Sequence, residues 1–543
     1  MGFLKSKIHL MFLTAIFILG AFLRFYHLGQ SPPGFYVDEA AIGYNAYSIL
    51  KTGKDEYGKT FPIFFRSFGD YKIPLYIYLS VLPIKLFGLS IFSARFISAL
   101  FGSLTLLVVY FLVKELFLKK GDRLGLLAMF IFAVSPLPIL FSRMALEVSL
   151  ALFWLLLALF LQLKSFAKKS DLLLILSVLA YALSAYSYHT ERFLAPAVLF
   201  FVSLILFWQY RLDWKNCLVK VIISWLLFIV LLFPQIWLFN STAGQARLKS
   251  LGSQESSLKN YLSQYFAYFS PRNLFFDPDP DRQRSFPQLS VFYPWMCLPF
   301  LIGFYLLLEK RERGVGKSII VLLLVLSPIP ASLARDPFSS FRAYPFVFPF
   351  ILAISLGIQA IYSLFRKKIA FFILSFIVVF VSLVNFYRNA FILLPKERFN
   401  DWSYGYSALV EKLTDGSFGE VLIDDPLGTS YVEVLFFQHY PPKKFQKEQL
   451  PVDLKNYYQI KEWPGRLSWD KFAVRPIVWK RDIYTDQLIV AKTLAISESQ
   501  AKEHFLTKAF VIIGPDGKVI FNGYLTHPEL KKQDDERRLL ERQ

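Results

Sequence analysis

The chain has 543 residues, of which 55% are hydrophobic, 18% aromatic and only 18% charged; phenylalanine alone accounts for 58. A soluble core cannot absorb apolar runs of this length, so the composition excludes an ordinary soluble enzyme and points to helices facing lipid. The net charge of +20 comes from basic residues clustered between the apolar runs, the pattern of loops facing anionic lipid, and nucleic acid is excluded as a partner on that ground.

Met1 to Lys7 is short and basic and leads into a first apolar run over about 8–28. No small-residue cleavage site follows, so this run reads as an anchor. The turn Ser31-Pro32-Pro33-Gly34 comes next, and then Phe35 to Tyr47. There Asp38 and Glu39 open a segment in which Ile42, Ala46, Ile49 and Leu50 recur at helical spacing. Two adjacent carboxylates at a helix start have two readings of about equal weight, a cap that complements the dipole or a catalytic group.

A second helical segment, 73–86, carries Pro74, Pro83 and Lys85 and is short for a crossing, so it is expected at the membrane interface. Further spans are expected at about 93–113, 124–141, 146–163, 172–188, 193–210, 217–239, 291–308, 318–334, 344–365 and 369–394, each near bilayer length. With the first run this makes an all-α polytopic membrane protein of about eleven transmembrane helices, without internal repeats. With the N-terminus inside, inner segments hold nineteen basic residues, among them Lys114, Lys119, Arg123, Lys317 and Lys368. The short outer loops hold four: Arg143, Arg192, Arg335 and Arg342. The positive-inside bias therefore turns the Asp38 loop outward.

Two more pieces fall outside under this topology. Residues 240–290 form a polar, aromatic loop containing Phe276-Asp277-Pro278-Asp279-Pro280-Asp281-Arg282. Residues 395–543 are polar and long enough for a separate extracytoplasmic α/β domain, expected to serve acceptor handling or stability. Strands are predicted at 420–423 and 472–479. A hairpin is predicted from 509–513 to 518–521 around Gly514-Pro515-Asp516-Gly517, and a capping box at Ser497 with Gln500. The division by polarity is thus 1–394, with its first outer loop 29–92, and 395–543.

Chemistry-bearing groups recur at the outer ends of the spans. Asp70-Tyr71-Lys72 opens the interfacial helix, Ser142-Arg143 joins the third and fourth spans, Glu191-Arg192 the fifth and sixth, and Arg335-Asp336 with Arg342 the ninth and tenth. One such arginine alone is most often a headgroup anchor. Four cations beside a carboxylate loop have the chemistry to hold a phosphate or diphosphate leaving group. Cys217 and Cys297 fall near opposite ends of neighbouring spans, so no disulfide is expected, and there is no zinc spacing or phosphate-binding glycine loop.

The order of these parts resembles the GT-C glycosyltransferases, specifically the bacterial relatives of protein O-mannosyltransferases and aminoarabinose transferases. The resemblance covers roughly 8–394. It rests on Asp38-Glu39-Ala40 with Tyr44 and Ala46, on Asp70-Tyr71-Lys72-Ile73-Pro74-Leu75, and on Phe87-Gly88 through Ala94-Arg95-Phe96 to Gly102. Ser142-Arg143 and Arg342 to Pro345 are similar to later family features; the Trp-Trp-Asp motif of oligosaccharyltransferases is absent. The resemblance implies a polyprenyl-phosphate-linked sugar as donor, a hydroxyl acceptor on protein, lipid or glycan, and inverting transfer. It points to Asp38 as the base, with Glu39 and Asp70 as the accompanying carboxylates. Lys72, Arg143, Arg192 and Arg342 are the candidate phosphate ligands, Lys72 and Arg342 first. No metal or other cofactor is expected. The competing reading is a glycolipid transporter or flippase, which would place ionisable groups at mid-membrane rather than at one surface.

Overall fold

Each predicted span becomes a helix because, in lipid, an apolar segment satisfies its backbone groups most simply within itself. The computed structural model describes residues 2–118, 121–246, 257–309, 314–334, 338–416, 418–448 and 453–541. Of the residues discussed above, Met1, Lys119, Arg335 and Asp336 lie outside these ranges. By packing, the chain forms two compact units. The first takes in Met1–Gly29, Lys72–Leu79 and Arg95–Leu394; the second takes in Gln30–Tyr71, Ser80–Ala94 and Pro395–Gln543. This division runs differently from a cut after residue 394, because most of the loop that carries Asp38 packs in one unit with the C-terminal segment.

The first unit is helical. Helices Gly2–Phe25, Ile91–Leu116, Val148–Ala167, Glu191–Gln209, Trp214–Trp237, Val315–Leu326, Val347–Leu364 and Lys368–Tyr387 fall on predicted spans. So do the shorter Gly121–Val134, Asp171–Ala185 and Cys297–Leu308. Among the described residues, eight stretches are long and apolar enough to cross a membrane by length and composition. Pro136 interrupts the third predicted span, which restarts as Pro136–Phe141. Buried polar side chains bond between helices. The Tyr181 hydroxyl donates to Gln162 Oε1 at 2.7 Å, and Gln162 Nε2 donates to Ser203 Oγ at 3.0 Å. The helix Lys368–Tyr387 instead keeps Phe372, Phe376 and Phe380 exposed, as a lipid-facing surface requires.

The second unit is built on a six-stranded sheet. Two earlier short strands, β1 (Phe65–Ser67) and β2 (Asp70–Lys72), form a separate hairpin, which β2 leaves into the first unit at Lys72. The sheet strands are β3 (Glu420–Asp424), β4 (Leu467–Trp469), β5 (Phe472–Arg475), β6 (Gln487–Lys492), β7 (Thr507–Ile513) and β8 (Val519–Leu525), in spatial order β4-β5-β3-β6-β8-β7. Strand β3 pairs parallel with β5 and β6, while the outer pairs are antiparallel. Leu422, Ile489, Ala491, Ile496 and Tyr524 form the buried cluster against it.

The predicted hairpin forms, closed by Gly514 N–H donating to Lys518 O at 2.7 Å. The Ser497–Gln500 capping box forms as well. The strand expected over 472–479 stops at Arg475, because Pro476 has no N–H to continue a ladder. The central strand β6 is not predicted from the sequence, although its run Leu488-Ile489-Val490-Ala491 is apolar.

Candidate active site

In the second unit the helix Val37–Thr52 starts with Asp38 and Glu39 in its first turn, where carboxylates complement the positive end of the dipole. The two divide the position between them. Glu39 is buried, and its Oε2 accepts from the Tyr36 backbone N–H at 3.2 Å, the reach-back half of a capping box. Consecutive helical positions point about 100° apart. Asp38 therefore lies on another face, and it is half-buried rather than sealed.

The helix is held tightly by the C-terminal segment of the same unit. A Cβ added to Gly43 would come within 2.6 Å of the Phe436 ring, so helices Val37–Thr52 and Tyr431–Phe437 meet at a contact only glycine allows. The Tyr44 hydroxyl donates to Tyr440 O at 3.1 Å, and Gln446 Nε2 donates to Ser48 Oγ, Thr52 Oγ1 and Asp55 O at 2.7–3.1 Å. Phe35 stacks near Phe436 with centroids 4.5 Å apart.

Just beyond the helix lies a second acidic pair, Asp55-Glu56, which sequence reasoning missed. Both residues are fully buried. Asn45, on the same helix as Asp38, donates from Nδ2 to Glu56 Oε1 at 3.1 Å and accepts from the Glu56 backbone N–H at 3.1 Å. The Tyr431 hydroxyl donates to Glu56 Oε2 at 2.9 Å, and the Tyr457 hydroxyl donates to Asp55 Oδ2 at 2.5 Å. Asp55 Oδ1 accepts from the backbone N–H groups of Tyr57 and Lys59. Burial pushes the Glu56 carboxyl up to about 8, against the opposing pull of the Asn45 and Tyr431 hydrogen bonds. It pushes Asp55 up to about 6 against the Tyr457 hydroxyl and the loop amides. The available signal was a second Asp-Glu pair between two glycines, Gly53 and Gly58, both in left-handed conformation.

Asp70 is presented by the hairpin of β1 and β2. Its turn residues Phe68 and Gly69 have φ of 50° and 76°, the two-residue connection whose twist suits a hairpin. Gly69 is doubly required, since a Cβ there would stand 3.0 Å from Lys461 O. Asp70 Oδ1 accepts from Tyr71 N–H at 2.8 Å. Strand alternation gives Asp70 and Lys72 the same face of the ribbon and Tyr71 the other. Tyr71 is buried, with its hydroxyl directed at Tyr457 O and Ile460 O.

The candidate cations belong to the first unit. Lys72 is half-buried at the end of β2. Arg143 is fully buried and caps the end of the first helix: Nη1 donates to Leu23 O and Arg24 O, Nη2 donates to His27 O, and the Phe391 ring lies 5.3 Å away. These are carbonyls that a helix end leaves without intrahelical partners. Arg24 and Arg95 are equally buried and also bond to backbone carbonyls. Arg24 donates to Gly20 O, Ala133 O, Phe132 O and Ser142 Oγ, and Arg95 donates to Leu28 O.

Arg192 is half-buried and donates to Gly244 O at 3.1 Å. Arg342 is half-buried beside Ser339, whose Oγ accepts from the Arg342 N–H at 3.5 Å and from Arg284 Nη1 at 2.9 Å. Arg284 was missed because it sits inside a long loop rather than at a span end. Asp38, Glu39 and Asp70 thus share one unit, and the four candidate cations share the other. Among the described residues, no group of three or more His, Cys, Asp or Glu side chains is placed to hold a metal ion.

Residues 72–237 match the family model described as dolichyl-phosphate-mannose-protein mannosyltransferase. No functionally curated protein matches the chain by sequence. Among solved structures it is similar to ArnT from Cupriavidus metallidurans bound to undecaprenyl phosphate. That pair shows 11% identity and a TM-score of 0.55, over 96% of this chain and 98% of that one. The apo form of the same ArnT gives 11% identity and the same TM-score over 97% and 99%. The archaeal oligosaccharyltransferase AglB from Archaeoglobus fulgidus, in complex with an inhibitory peptide and a dolichol-phosphate, is similar at 12% identity and a TM-score of 0.50. There the match covers 95% of this chain and 74% of that one. The chain has the GT-C fold of these membrane proteins.

Proposed function

Starting from that fold, we propose that the chain is a membrane glycosyltransferase that moves a sugar from a polyprenyl-phosphate carrier to a hydroxyl acceptor, with inversion at the anomeric carbon. Asp38 takes the acceptor proton as the acceptor oxygen bonds to the anomeric carbon. The bond from that carbon to the phosphate oxygen breaks on the opposite side, and the carrier phosphate leaves as an anion. A positioned base contributes typically about 10²–10⁴-fold. The departing phosphate needs cations more than it needs a general acid.

The observation that carries the reading is the unequal pair in the first helical turn. Glu39 is engaged as a cap, while Asp38 stays half-buried on a helix anchored at Gly43, Tyr44 and Asn45. A base must be held still yet reachable, and Asp38 meets both demands. Asp70 helps to orient the acceptor. Lys72 and Arg342 lead the phosphate ligands and Arg192 follows; Arg143 enters with its guanidinium already bonded to three carbonyls. That undecaprenyl phosphate and dolichol-phosphate are named for the similar structures supports a carrier of this class.

We place the N-terminus in the cytoplasm and residues 395–543 outside, with eleven spans. A reporter active only in the cytoplasm should stay silent when fused after Gln543, and a strong signal reverses the orientation. The activity is tested with purified protein and a radiolabelled polyprenyl-phosphate sugar. Release of free carrier phosphate, dependent on a hydroxyl acceptor, is expected. Movement of an intact donor between leaflets would identify a flippase instead.

A further inference from the structure

The first unit holds a cavity of about 1670 Å³ remote from the candidate chemistry. Its walls come from Ile8 to Phe12 of the first helix, the end of Ile91–Leu116, the start of Gly121–Val134, and the ends and starts of the later helices from Leu306 to Phe372. Arg143, Arg24 and Arg95 gather at the other end of the first helix, near residues 20–28. From residue 8 to residue 25 a helix rises about 25 Å, so the cavity and that arginine cluster sit at opposite ends of the same bundle.

The lining combines apolar and charged side chains and is open to the lipid-facing surface at Phe12 and Phe372. Phe12, Leu127, Leu306 and Phe372 supply hydrocarbon, while Lys114, Arg123, Lys317 and Lys368 supply four positive charges against the carboxylates of Asp122 and Glu309. Lys114 pairs with Asp122 at 2.7 Å. Lys317 Nζ donates to Leu306 O at 2.9 Å and Lys368 Nζ to Tyr362 O at 2.7 Å, so each ammonium is tethered by a neighbouring helix end. A backbone carbonyl orients a lysine but leaves its charge uncompensated; Lys317 keeps two N–H donors, and Lys368, which also reaches Ser363 O at 3.5 Å, keeps one. Among the described residues, Arg123, Lys317 and Lys368 have no carboxylate partner.

We propose that this cavity binds an anionic glycerophospholipid of the surrounding bilayer. The phosphodiester is held by Arg123, Lys317 and Lys368, and the acyl chains lie against the apolar walls. Three cations around an apolar cleft between helix ends match a phosphate carried on hydrocarbon chains. The volume also exceeds what a drug-sized ligand needs, typically about 300–1,000 Å³. The proposal rests on the membrane-spanning fold and not on the transferase reading.

The test uses the purified full chain in mixed micelles with phosphatidylglycerol and phosphatidylcholine, and bound lipid counted by native mass spectrometry. Wild type should retain phosphatidylglycerol in preference to phosphatidylcholine. The Arg123→Gln, Lys317→Gln, Lys368→Gln variant should lose that retention at least about tenfold, as charge-assisted contacts are removed. The Lys317→Arg, Lys368→Arg variant should keep it. Should the triple variant fail to fold, Ala360→Trp fills the cavity without changing charge and should displace the lipid just as well. Equal retention of the two lipids by wild type, or undiminished retention by both the folded triple variant and Ala360→Trp, overturns the proposal. Displacement by inorganic phosphate makes the cavity a free-anion site, and displacement by polyprenyl phosphate makes it a carrier site; either result overturns the proposal too.

Discussion

Asp38-Glu39 and Asp55-Glu56 have the same composition, lie in the same unit and have opposite surroundings. The first pair opens a helix, with one carboxylate capping the backbone and the other half-buried. The second is sealed, and all four of its carboxylate oxygens accept hydrogen bonds, from Asn45, Tyr431, Tyr457 and two loop amides. Chemistry needs a carboxylate that can meet a substrate; a sealed network needs one whose hydrogen bonds are filled from within. The difference shows why two acidic residues in a row do not identify a site. The second pair braces the helix, through Asn45, and of the first pair only Asp38 is presented at a half-buried position.

That contrast is sharpest in turnover. Asp38→Asn keeps shape and capping ability but removes basicity, so turnover should fall at least about a hundredfold while donor affinity and melting temperature hold. Glu56→Gln should leave turnover within a few-fold of wild type at neutral pH. Normal turnover in Asp38→Asn together with a dead Glu39→Gln would transfer the role to the neighbour.

Stability should respond in the opposite sense. Glu56→Ala strands the Asn45 amide and the Tyr431 hydroxyl in the interior, a loss of about 2–4 kcal/mol with the cavity included. Hydrogen exchange over 37–52 should report that loss, and protection equal to wild type would deny the bracing role.

The same distinction separates the cations. Lys72→Ala and Arg342→Ala should each weaken donor binding by about 1.5–3 kcal/mol, as loss of a charge-assisted contact does. Arg143→Ala should lower the melting temperature instead, because it uncaps the first helix. Unchanged donor affinity in Lys72→Ala, Arg342→Ala and Arg192→Ala would remove the phosphate clamp.

A smaller effect follows from pH. Glu56 is raised to about 8 from an ordinary 4.5, so between those values the folded state binds a proton that the unfolded state has released. Stability from this group is therefore full below about 4.5, declines as pH rises, and levels off above about 8. Asp55 acts the same way between 3.8 and about 6. Glu56→Gln should flatten the decline between pH 6 and 8, and an unchanged difference curve would mean that Glu56 is ionised when folded. Smallest of all, Glu39→Gln should shift stability by only a few tenths of a kcal/mol, since Gln serves the reach-back bond of a capping box.

By itself the sequence determined the helices of the first unit, the helix start at Asp38-Glu39, the hairpin around Gly514 to Gly517 and the Ser497 cap. Each of these is set by neighbours within a few positions: an apolar run must bond within itself in lipid, and caps and turns are local. What only the tertiary structure decided involves partners far apart. Glu56 meets Tyr431 across 375 positions and Tyr71 meets Tyr457 across 386, so no local period announces that residues 30–71 fold with the C-terminal sheet. Arg143 follows the same rule, because its carbonyl partners lie 116 to 120 positions back at the end of another helix. A span-end arginine in the sequence has the pattern of a headgroup anchor or a phosphate ligand. The fold buries this one against helix carbonyls, because a helix end inside the protein must have its carbonyls satisfied.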